Sequence, residues 1–351
     1  MNSWTDKLRV VTPYVPGEQP QGNDIVKLNT NENPYPPSPE VKKVIENLDT
    51  DRFAKYPDPT AAELVGELAK YHGVGDSNIF VGTGSDDVLS TAFLAFFNSD
   101  KEIIFPDVTY SFYPVWAQVY RIPYREIPVD ENFCLRVDDY LPGGDSFGGI
   151  VIANPNAPTG ISMGLTDLEK IIAANDDCVV IVDEAYVDYG GQTALGLLEK
   201  YENLVVVRTF SKSRAMAGAR IGYAVGGEKV IKELYDVAQS INSYTMTFDS
   251  LKIGAASVRD DKYFRDRIED VVKTREITVR ELEKRGFTVL PSSSNFVFAR
   301  PADGDAKSVF EKLREKEIYV RYFSKERTKE FLRITIGTDK QMERMFEALD
   351  S

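Results

Sequence analysis

The sequence predicts an α/β protein in which helices flank a mostly parallel sheet. Three short apolar runs rich in β-branched residues, Gly149–Ala153, Val179–Val182 and Val205–Val207, are typical of strands buried on both faces of such a sheet. Each run is followed by polar residues or by a turn. Because open α/β sheets bind ligands beyond the carboxyl ends of their strands, we expect the functional site at that edge.

The chain before these strands begins with an arm and continues with alternating helical and extended patterns. Residues 1–38 are rich in proline, asparagine and glycine, which predicts an extended arm with turns rather than a helix. The following patterns predict helices at Pro39–Asn47, Thr60–Tyr71 (with Thr60 as the N-cap) and Val88–Phe97, and strands at Ile79–Val81, Ile103–Phe105 and Val119–Ile127.

The chain after Arg220 predicts the end of a large domain and a second, smaller one. Helices are expected at Glu228–Ile241 and Phe248–Val258, and a long charged helix at Lys262–Arg285 forms the bridge. The smaller domain has patterns for strands at Phe287–Leu290, Asn295–Phe298, Tyr319–Arg321 and Phe331–Ile336, and for helices at Ala306–Lys316 and Lys340–Leu349. We divide the chain into the arm (1–38), a large domain (39–260) and a small α+β domain (261–351) that packs with part of the N-terminal segment.

Length, charge and residue content exclude several classes of partner and site. A chain of 351 residues suits about two domains. The net charge of −13 disfavours a nucleic-acid surface or an anionic membrane as partner. No apolar run reaches the ~20 residues of a membrane span, and the start lacks the apolar core of a signal peptide. Two cysteines without close spacing predict free thiols in a reducing compartment such as the cytoplasm. A single histidine, His72, argues against a histidine-based zinc site, and we expect no metal.

Three strand ends bring reactive side chains to the same edge of the predicted sheet. Lys212 follows the run at Val205, Asp183 and Tyr186 follow the run at Val179, and an asparagine-rich turn follows Gly149–Ala153. A lone lysine in a loop is usually just solvated. A lysine amine beside a buried carboxylate, however, can form a Schiff base with a carbonyl cofactor whose pyridine nitrogen the carboxylate keeps protonated.

A glycine turn between a strand and a helix predicts a phosphate site. The strand at Ile79 runs into Gly-Thr-Gly-Ser-Asp-Asp, and an apolar helix follows. Backbone N–H groups at a helix N-terminus attract anions, so Gly84, Ser85 and Asp86 are candidate phosphate ligands.

Together these motifs resemble the fold-type I, pyridoxal-phosphate-dependent aminotransferases. The matching segments are Thr-Phe-Ser-Lys-Ser-Arg-Ala-Met-Ala-Gly from Thr209, Asp-Glu-Ala-Tyr from Asp183, and Pro-Thr-Gly from Pro158. The resemblance spans essentially the whole chain. It implies a large domain with a mostly parallel seven-stranded sheet, pyridoxal 5′-phosphate as the cofactor, and a homodimer.

The resemblance also implies a role for each matching residue. Lys212 would form the Schiff base and move the proton, Asp183 would stabilise the protonated ring nitrogen, and Tyr186 would hydrogen-bond the phenolate oxygen. Four further positions match: Tyr110 would stack on the ring, while Thr209, Ser211 and Arg220 would close around the phosphate. Tyr56, in Lys-Tyr-Pro-Asp, would reach the cofactor phosphate of the neighbouring subunit.

One position departs from the family pattern. Relatives carry asparagine directly before Pro-Thr-Gly, where it binds the phenolate oxygen, whereas this chain has Ala157. Either Asn154 or Asn156 supplies the amide through a local shift, or the contact is lost. Asn156 is the favoured candidate.

Three features resemble histidinol-phosphate aminotransferases in particular. These are the Pro-Tyr-Val-Pro-Gly arm containing Tyr14, the Asn-Glu-Asn-Pro turn containing Asn33, and the Tyr-Val-Arg-Tyr strand containing Arg321. With Arg333, the family's substrate-gripping arginine, Arg321 could hold a phosphate dianion. The implied reaction is amine exchange between L-histidinol phosphate and 2-oxoglutarate.

Other functions share part of this pattern. An aromatic amino-acid aminotransferase and a threonine-phosphate decarboxylase would have the same lysine and aspartate and differ only in substrate. An α-oxoamine synthase usually has histidines where this chain has Tyr110 and Tyr186. A non-catalytic regulator with this fold is disfavoured by the intact lysine site and by the lack of a DNA-binding segment.

Overall fold

The computed structural model describes residues 4–22, 24–144 and 146–351. Residues 1–3 and 23 of the predicted arm lie outside this set. The strands are β1 (Val26–Lys27), β2 (Ile79–Gly82), β3 (Ile103–Pro106), β4 (Tyr124–Ile127), β5 (Gly149–Ala153), β6 (Val180–Asp183), β7 (Leu204–Thr209), β8 (Gly222–Gly226), β9 (Thr288–Val289), β10 (Phe296–Arg300), β11 (Ile318–Tyr319), β12 (Arg321–Tyr322) and β13 (Leu332–Thr335). The α-helices are α1 (Pro39–Glu46), α2 (Ala62–His72), α3 (Ser85–Phe96), α4 (Tyr113–Tyr120), α5 (Leu165–Ala174), α6 (Glu228–Ile241), α7 (Phe248–Arg259), α8 (Asp261–Lys284), α9 (Ala306–Glu315) and α10 (Asp339–Asp350).

The large domain is organised around a seven-stranded sheet in the order β2-β8-β7-β6-β5-β3-β4. Strand β8 is antiparallel to both of its neighbours, and the other pairs are parallel. This arrangement confirms the predicted fold class. In β6 and β7, alternate residues point to opposite faces. Ile181 joins the apolar cluster formed with α3, α4 and α6, whereas Val180 and Val182 join the cluster formed with α5. Both faces are therefore covered, which explains the uniformly apolar strands.

The smaller domain is an antiparallel sheet in the order β12-β13-β10-β9, packed against α8, α9 and α10. The arm contributes to it, because β1 pairs in parallel with β11. Arm residues Val26 and Leu28 are buried in the apolar cluster of this domain. Among the described residues, none of the helices is both long and apolar enough to cross a membrane.

Four local predictions were wrong or incomplete. The predicted strand Val119–Ile127 is a strand only from Tyr124, because Val119 and Tyr120 end α4 and Arg121 turns the chain with a φ of 60°. Thr60 does not cap α2; the Asp58 carboxylate accepts hydrogen bonds from the N–H groups of Thr60 and Ala62 instead. The predicted strand Tyr319–Arg321 is divided between β11, which pairs with the arm, and β12, which pairs with β13. Strand β8 was missed, since a glycine at each end obscures its apolar pattern.

Candidate active site

A cavity of about 170 Å³ lies at the carboxyl ends of β5, β6 and β7. It brings together nine of the predicted site residues, which come from five separate stretches of the chain. Its walls are formed by Thr30, Glu32, Ser85, Asp86, Tyr110, Ala153, Pro155, Ala157, Asp183, Ala185, Tyr186, Thr209, Ser211, Lys212, Ala217 and Arg220.

Lys212 projects into this cavity from the turn after β7. Its Nζ donates a hydrogen bond of 3.1 Å to the Thr30 carbonyl and lies 5.8 Å from the centroid of the Tyr186 ring. The turn is held by Asn33, whose amide donates to the carbonyls of Lys212 at 3.1 Å and of Ser213 at 3.2 Å. Asn33, expected to bind substrate, therefore faces the lysine backbone and is not among the residues that line the cavity.

Asp183 ends β6 and is 5 % exposed. Burial raises the pKa of its carboxyl group to about 6. Two hydrogen bonds oppose this effect: Tyr113 donates its hydroxyl proton at 2.9 Å, and the Ala185 N–H donates at 3.2 Å. A cationic ring nitrogen beside this carboxyl group would be strongly attracted to its charged form.

Tyr113 is a site residue that the sequence analysis missed. It is fully buried in α4, and its ring packs among aromatic neighbours, including Phe93 and Trp116. Its spacing on an apolar helix resembles ordinary core packing, so the sequence carried no signal of its contact with Asp183.

The second carboxylate of the Asp-Glu pair faces the opposite side of the sheet. Glu184 accepts hydrogen bonds from Arg208 at 2.8 and 3.0 Å, from Thr193 and from the Ala194 N–H. Burial raises the pKa of Glu184, and the Arg208 charge opposes that rise. This buried pair neutralises the Glu184 carboxylate and leaves Asp183 as the member of the Asp-Glu pair that faces the cavity.

The predicted phosphate cradle is present at the N-terminus of α3. The Arg220 guanidinium lies against this turn and pairs with Asp86 at 3.2 Å. Gly84 has a φ of 84°, a conformation that favours glycine, and a Cβ atom there would displace the Arg220 guanidinium. The Thr209 hydroxyl donates to the Ser211 hydroxyl at 3.0 Å on the same wall. Helix N–H groups, a guanidinium and two hydroxyls form a donor set that fits a phosphate.

Tyr110 forms another wall of the cavity. Its hydroxyl donates to Asp86 at 2.8 Å, and burial together with the Asp86 charge raises the pKa of Tyr110. The ring stands nearly perpendicular to the Tyr113 ring, at 5.7 Å between centroids. The hydrogen bond to Asp86 and the neighbouring Tyr113 ring hold Tyr110 at the cavity wall.

The two predicted arginines lie directly opposite each other on β12 and β13. Arg333 donates to the Asn29 carbonyl at 2.9 Å, and its buried Nε has no hydrogen-bond partner among the described residues. Burial lowers the pKa of Arg333, and the nearby hydroxyls of Tyr186 and Tyr14 oppose that change. The Arg321 guanidinium is held more loosely, by arm carbonyls at 3.4 and 3.5 Å.

Tyr14, Tyr56 and Asn156 also lie outside the cavity wall. Tyr14 stacks on Phe112 at 4.4 Å. Tyr56 is 78 % exposed and stacks on Tyr244 at 4.5 Å. Asn156 is buried, and its amide donates to the Val108 carbonyl and to Thr159. The geometry does not bring the Asn156 amide to the cavity.

Asn154 does not supply the amide that the family asparagine would provide at position 157. Its side chain is hydrogen-bonded to Ser162 and to both backbone groups of Met163. The methyl group of Ala157 lines the cavity at this point. The missing asparagine is therefore not replaced by either neighbour.

The arm supplies cavity residues that the sequence analysis did not identify. Thr30 and Glu32 line the cavity, and the Glu32 carboxylate accepts from Lys27 Nζ at 2.7 Å. Asn31, between them, is buried and donates to the Tyr186 hydroxyl at 2.9 Å. The Asn-Glu-Asn-Pro motif is visible in the sequence. Its contacts are not, because they depend on the arm packing next to the end of β6.

Comparison with known proteins identifies the family. The model for "Aminotransferase class I and II" matches residues 23–349. The histidinol-phosphate aminotransferase of Lactococcus lactis subsp. cremoris (strain MG1363) is 48% identical over 347 residues, covering 99% of this chain and 97% of that protein.

Two solved structures share the fold at lower identity. Histidinol-phosphate aminotransferase from Sinorhizobium meliloti, in complex with pyridoxal-5′-phosphate, superposes with a TM-score of 0.85 at 23% identity, covering 92% of this chain and 89% of that one. L-threonine-O-3-phosphate decarboxylase from Porphyromonas gingivalis gives a TM-score of 0.77 at 22% identity, covering 93% and 98%. The fold alone thus does not separate these activities. The full-length family match and the 48% identity do identify the family. The chain belongs to the class I and II aminotransferases, among which its full-length similarity is to histidinol-phosphate aminotransferases.

Proposed function

We propose that this chain transfers the amine of L-histidinol phosphate to 2-oxoglutarate with pyridoxal 5′-phosphate as cofactor, giving imidazole acetol phosphate and L-glutamate for histidine biosynthesis. The observation that carries the proposal is the meeting of Lys212, Asp183 and the Arg220 cradle in one cavity. The 48% identity to a histidinol-phosphate aminotransferase over nearly the whole chain supports the substrate.

The donor set described above fits the cofactor. When bound, pyridoxal phosphate supplies a protonated ring that accepts the electron pair of a broken C–H bond. Arg220, Ser211 and Thr209 would hold its phosphate, and Asp183 would hold the proton on its ring nitrogen. Tyr110 would support one face of the ring.

The Lys212 amine would bind the carbonyl carbon of the cofactor covalently. Once the incoming substrate amine has displaced it, the lysine amine would move the proton of the substrate's C–H bond. The one histidine of the chain, His72, is unsuited to that task. It is largely buried beside Tyr223, and burial lowers its pKa to about 3. Lys212 projects its amine into the cavity, whereas His72 does not line it, so the lysine amine is the better candidate.

Arg333 and Arg321 would bind the substrate's anionic group. A phosphate dianion and a carboxylate must occupy the same place in the two half-reactions. The buried Nε of Arg333 has no hydrogen-bond partner in the described part of the chain, which leaves donor capacity for both anions. The loosely held Arg321 can join for the more highly charged phosphate.

We further propose that the enzyme is a cytoplasmic homodimer and that Tyr56 serves the cavity of the partner subunit. Tyr56 stacks on Tyr244, and both rings are exposed, as are Phe53 and Ile241, which lie three positions before each of them in the sequence. Exposed aromatic side chains clustered in this way are typical of a protein interface. The two cysteines are free, in keeping with a reducing compartment.

A substrate comparison tests the proposal. The kcat/KM values would be measured for L-histidinol phosphate and L-phenylalanine with 2-oxoglutarate, and carbon dioxide release would be measured from O-phospho-L-threonine. We expect histidinol phosphate to be preferred to phenylalanine by at least about tenfold, since phenylalanine has no phosphate dianion to pair with both arginines. A preference for phenylalanine would indicate an aromatic aminotransferase, and carbon dioxide release would indicate a decarboxylase.

A further inference from the structure

We propose that Asn31 is a positioning residue, which directs the hydroxyl proton of Tyr186 into the cavity. This inference rests on the proposed function, in which Tyr186 faces an anionic oxygen of the cofactor ring. The Asn31 amide donates to the Tyr186 hydroxyl oxygen at 2.9 Å. A tyrosine hydroxyl has one proton. Because the oxygen already accepts a hydrogen bond from Asn31, that proton must point elsewhere, and Tyr186 is one of the residues that line the cavity.

The orientation of the Asn31 amide follows from the hydrogen bonds around it. The Asn31 backbone N–H donates to the Thr335 hydroxyl at 3.0 Å, so that hydroxyl must accept there. Its own proton is then available for the Asn31 side-chain oxygen, also at 3.0 Å. Because the side-chain oxygen of Asn31 accepts from Thr335, its NH₂ group faces Tyr186. The reverse orientation would place two donors against each other at Thr335.

The support around Asn31 is rigid. Asn31 is 1 % exposed and Thr335 is 2 % exposed. The Asn295 amide donates to the Asn31 carbonyl at 3.0 Å. Asn31 has a φ of 56°, in the left-handed region that asparagine tolerates better than most residues. The backbone of Asn31 and the oxygen end of its side chain are therefore held by β13 and by the residue just before β10.

The contact between Asn31 and Tyr186 matters because the turn after β5 offers no side-chain amide to the cavity. Ala157 presents a methyl group there, and the amides of Asn154 and Asn156 are used elsewhere. Lys212 and Arg333 lie near Tyr186. The charged side chains of Glu32, Asp86, Asp183 and Arg220 line the same cavity. A correctly aimed hydroxyl proton on Tyr186 thus becomes more important for stabilising the cofactor's anionic oxygen.

The test is a pH titration of the visible absorbance of the protein loaded with pyridoxal phosphate. Asn31→Asp keeps the shape but cannot donate when ionised, so the carboxylate would draw the Tyr186 proton away from the cavity. The anionic oxygen would lose stabilisation, and the chromophore would keep its proton to a higher pH. The added charge alone also raises the midpoint, so the same substitution is made in a Tyr186→Phe background.

We expect the midpoint to rise by about one pH unit more when Tyr186 is present than in the Tyr186→Phe background, which corresponds to a tenfold change in the equilibrium. Thr335→Val, which frees the Asn31 amide to rotate, should raise the midpoint in the same direction, whereas Thr335→Ser should leave it near wild type. Asn31→Gly keeps the left-handed turn without the amide and serves as the neutral variant. It should also raise the midpoint only when Tyr186 is present.

Equal shifts in the two backgrounds, or an unchanged midpoint in folded Asn31→Asp and Asn31→Gly proteins, would overturn the role of Asn31. A wild-type protein that shows no visible absorbance with pyridoxal phosphate would instead overturn the proposed function, and this inference with it.

Discussion

Replacing Asp183 by asparagine separates the cost of burying a charge from the benefit of pairing it. Without cofactor, burial raises the pKa of the carboxyl group from its ordinary 3.8 to about 6. An acid whose folded-state pKa is raised contributes stability below its ordinary value and loses it as the pH rises through the folded value. Asp183→Asn should therefore stabilise the cofactor-free protein, and increasingly so as the pH rises towards neutrality.

The magnitude follows from the size of the pKa rise. A change from 3.8 to about 6 corresponds to roughly 3 kcal/mol of unfolding free energy, at about 1.36 kcal/mol per pKa unit. About half of this develops below pH 5, so roughly 1 to 2 kcal/mol should appear between pH 5 and pH 8. With cofactor bound the sign should reverse at pH 8, because the carboxylate then pairs with a protonated ring nitrogen.

These differences are measured by urea unfolding of the wild type and of Asp183→Asn at pH 5 and at pH 8, with and without pyridoxal phosphate. Comparing the two proteins at each pH cancels the titration of all other groups. Asp100→Asn, at an exposed aspartate, is the matched control for removing one negative charge. A variant no more stable than wild type at pH 8 without cofactor would refute the claim that the Asp183 charge is costly. A variant equally stabilised with cofactor would refute the pairing.

Three further predictions concern Tyr113, Tyr56 and the two arginines of the small domain. Tyr113→Phe removes a hydrogen bond that favours the charged Asp183, so the pKa of Asp183 should rise further, and the gain from Asp183→Asn at pH 8 should be larger in that background; an unchanged gain would mean that the bond is not made. Mixing inactive Lys212→Ala subunits with Tyr56→Phe subunits should raise activity above the parental mean, because mixed dimers regain one unmutated site; activity that stays at the mean would exclude action in trans. Arg321→Gln should slow the histidinol-phosphate half-reaction by roughly ten- to a hundredfold and the glutamate half-reaction less, whereas a loss of ~1.5–3 kcal/mol from Arg333→Gln should slow both; single-turnover rates decide this, and equal slowing of both halves by Arg321→Gln would place phosphate recognition elsewhere.

Much of the cavity was predictable because strand ends are readable in sequence. Buried parallel strands appear as apolar runs, and the residues that follow them meet at one edge. Lys212, Asp183 and Tyr186 were placed together in this way, and the Gly84 turn was found by its position between a strand and a helix. Their chemical roles came from resemblance to a family, since spacing alone does not distinguish a cofactor lysine from a solvated one.

What could not be predicted depends on contacts between distant segments. Asn31, Tyr186 and Thr335 are separated by 155 and 304 positions measured from Asn31, and no local pattern links them. Tyr113 looked like a core residue because it is one, and its hydroxyl contact with Asp183 is a detail of packing. Asn156 was chosen for its proximity in sequence to Ala157, but the turn aims its amide at the Val108 carbonyl.

The most direct test of the account is to locate the attachment point of the cofactor. The protein loaded with pyridoxal phosphate is reduced with borohydride and digested, and the labelled peptide is sequenced. The account predicts one labelled lysine, Lys212, in the peptide that contains Thr-Phe-Ser-Lys, and no label once L-histidinol phosphate has been added to convert the cofactor to its amine form. A label on a different lysine, or a label on Lys212 that persists after L-histidinol phosphate is added, would contradict it.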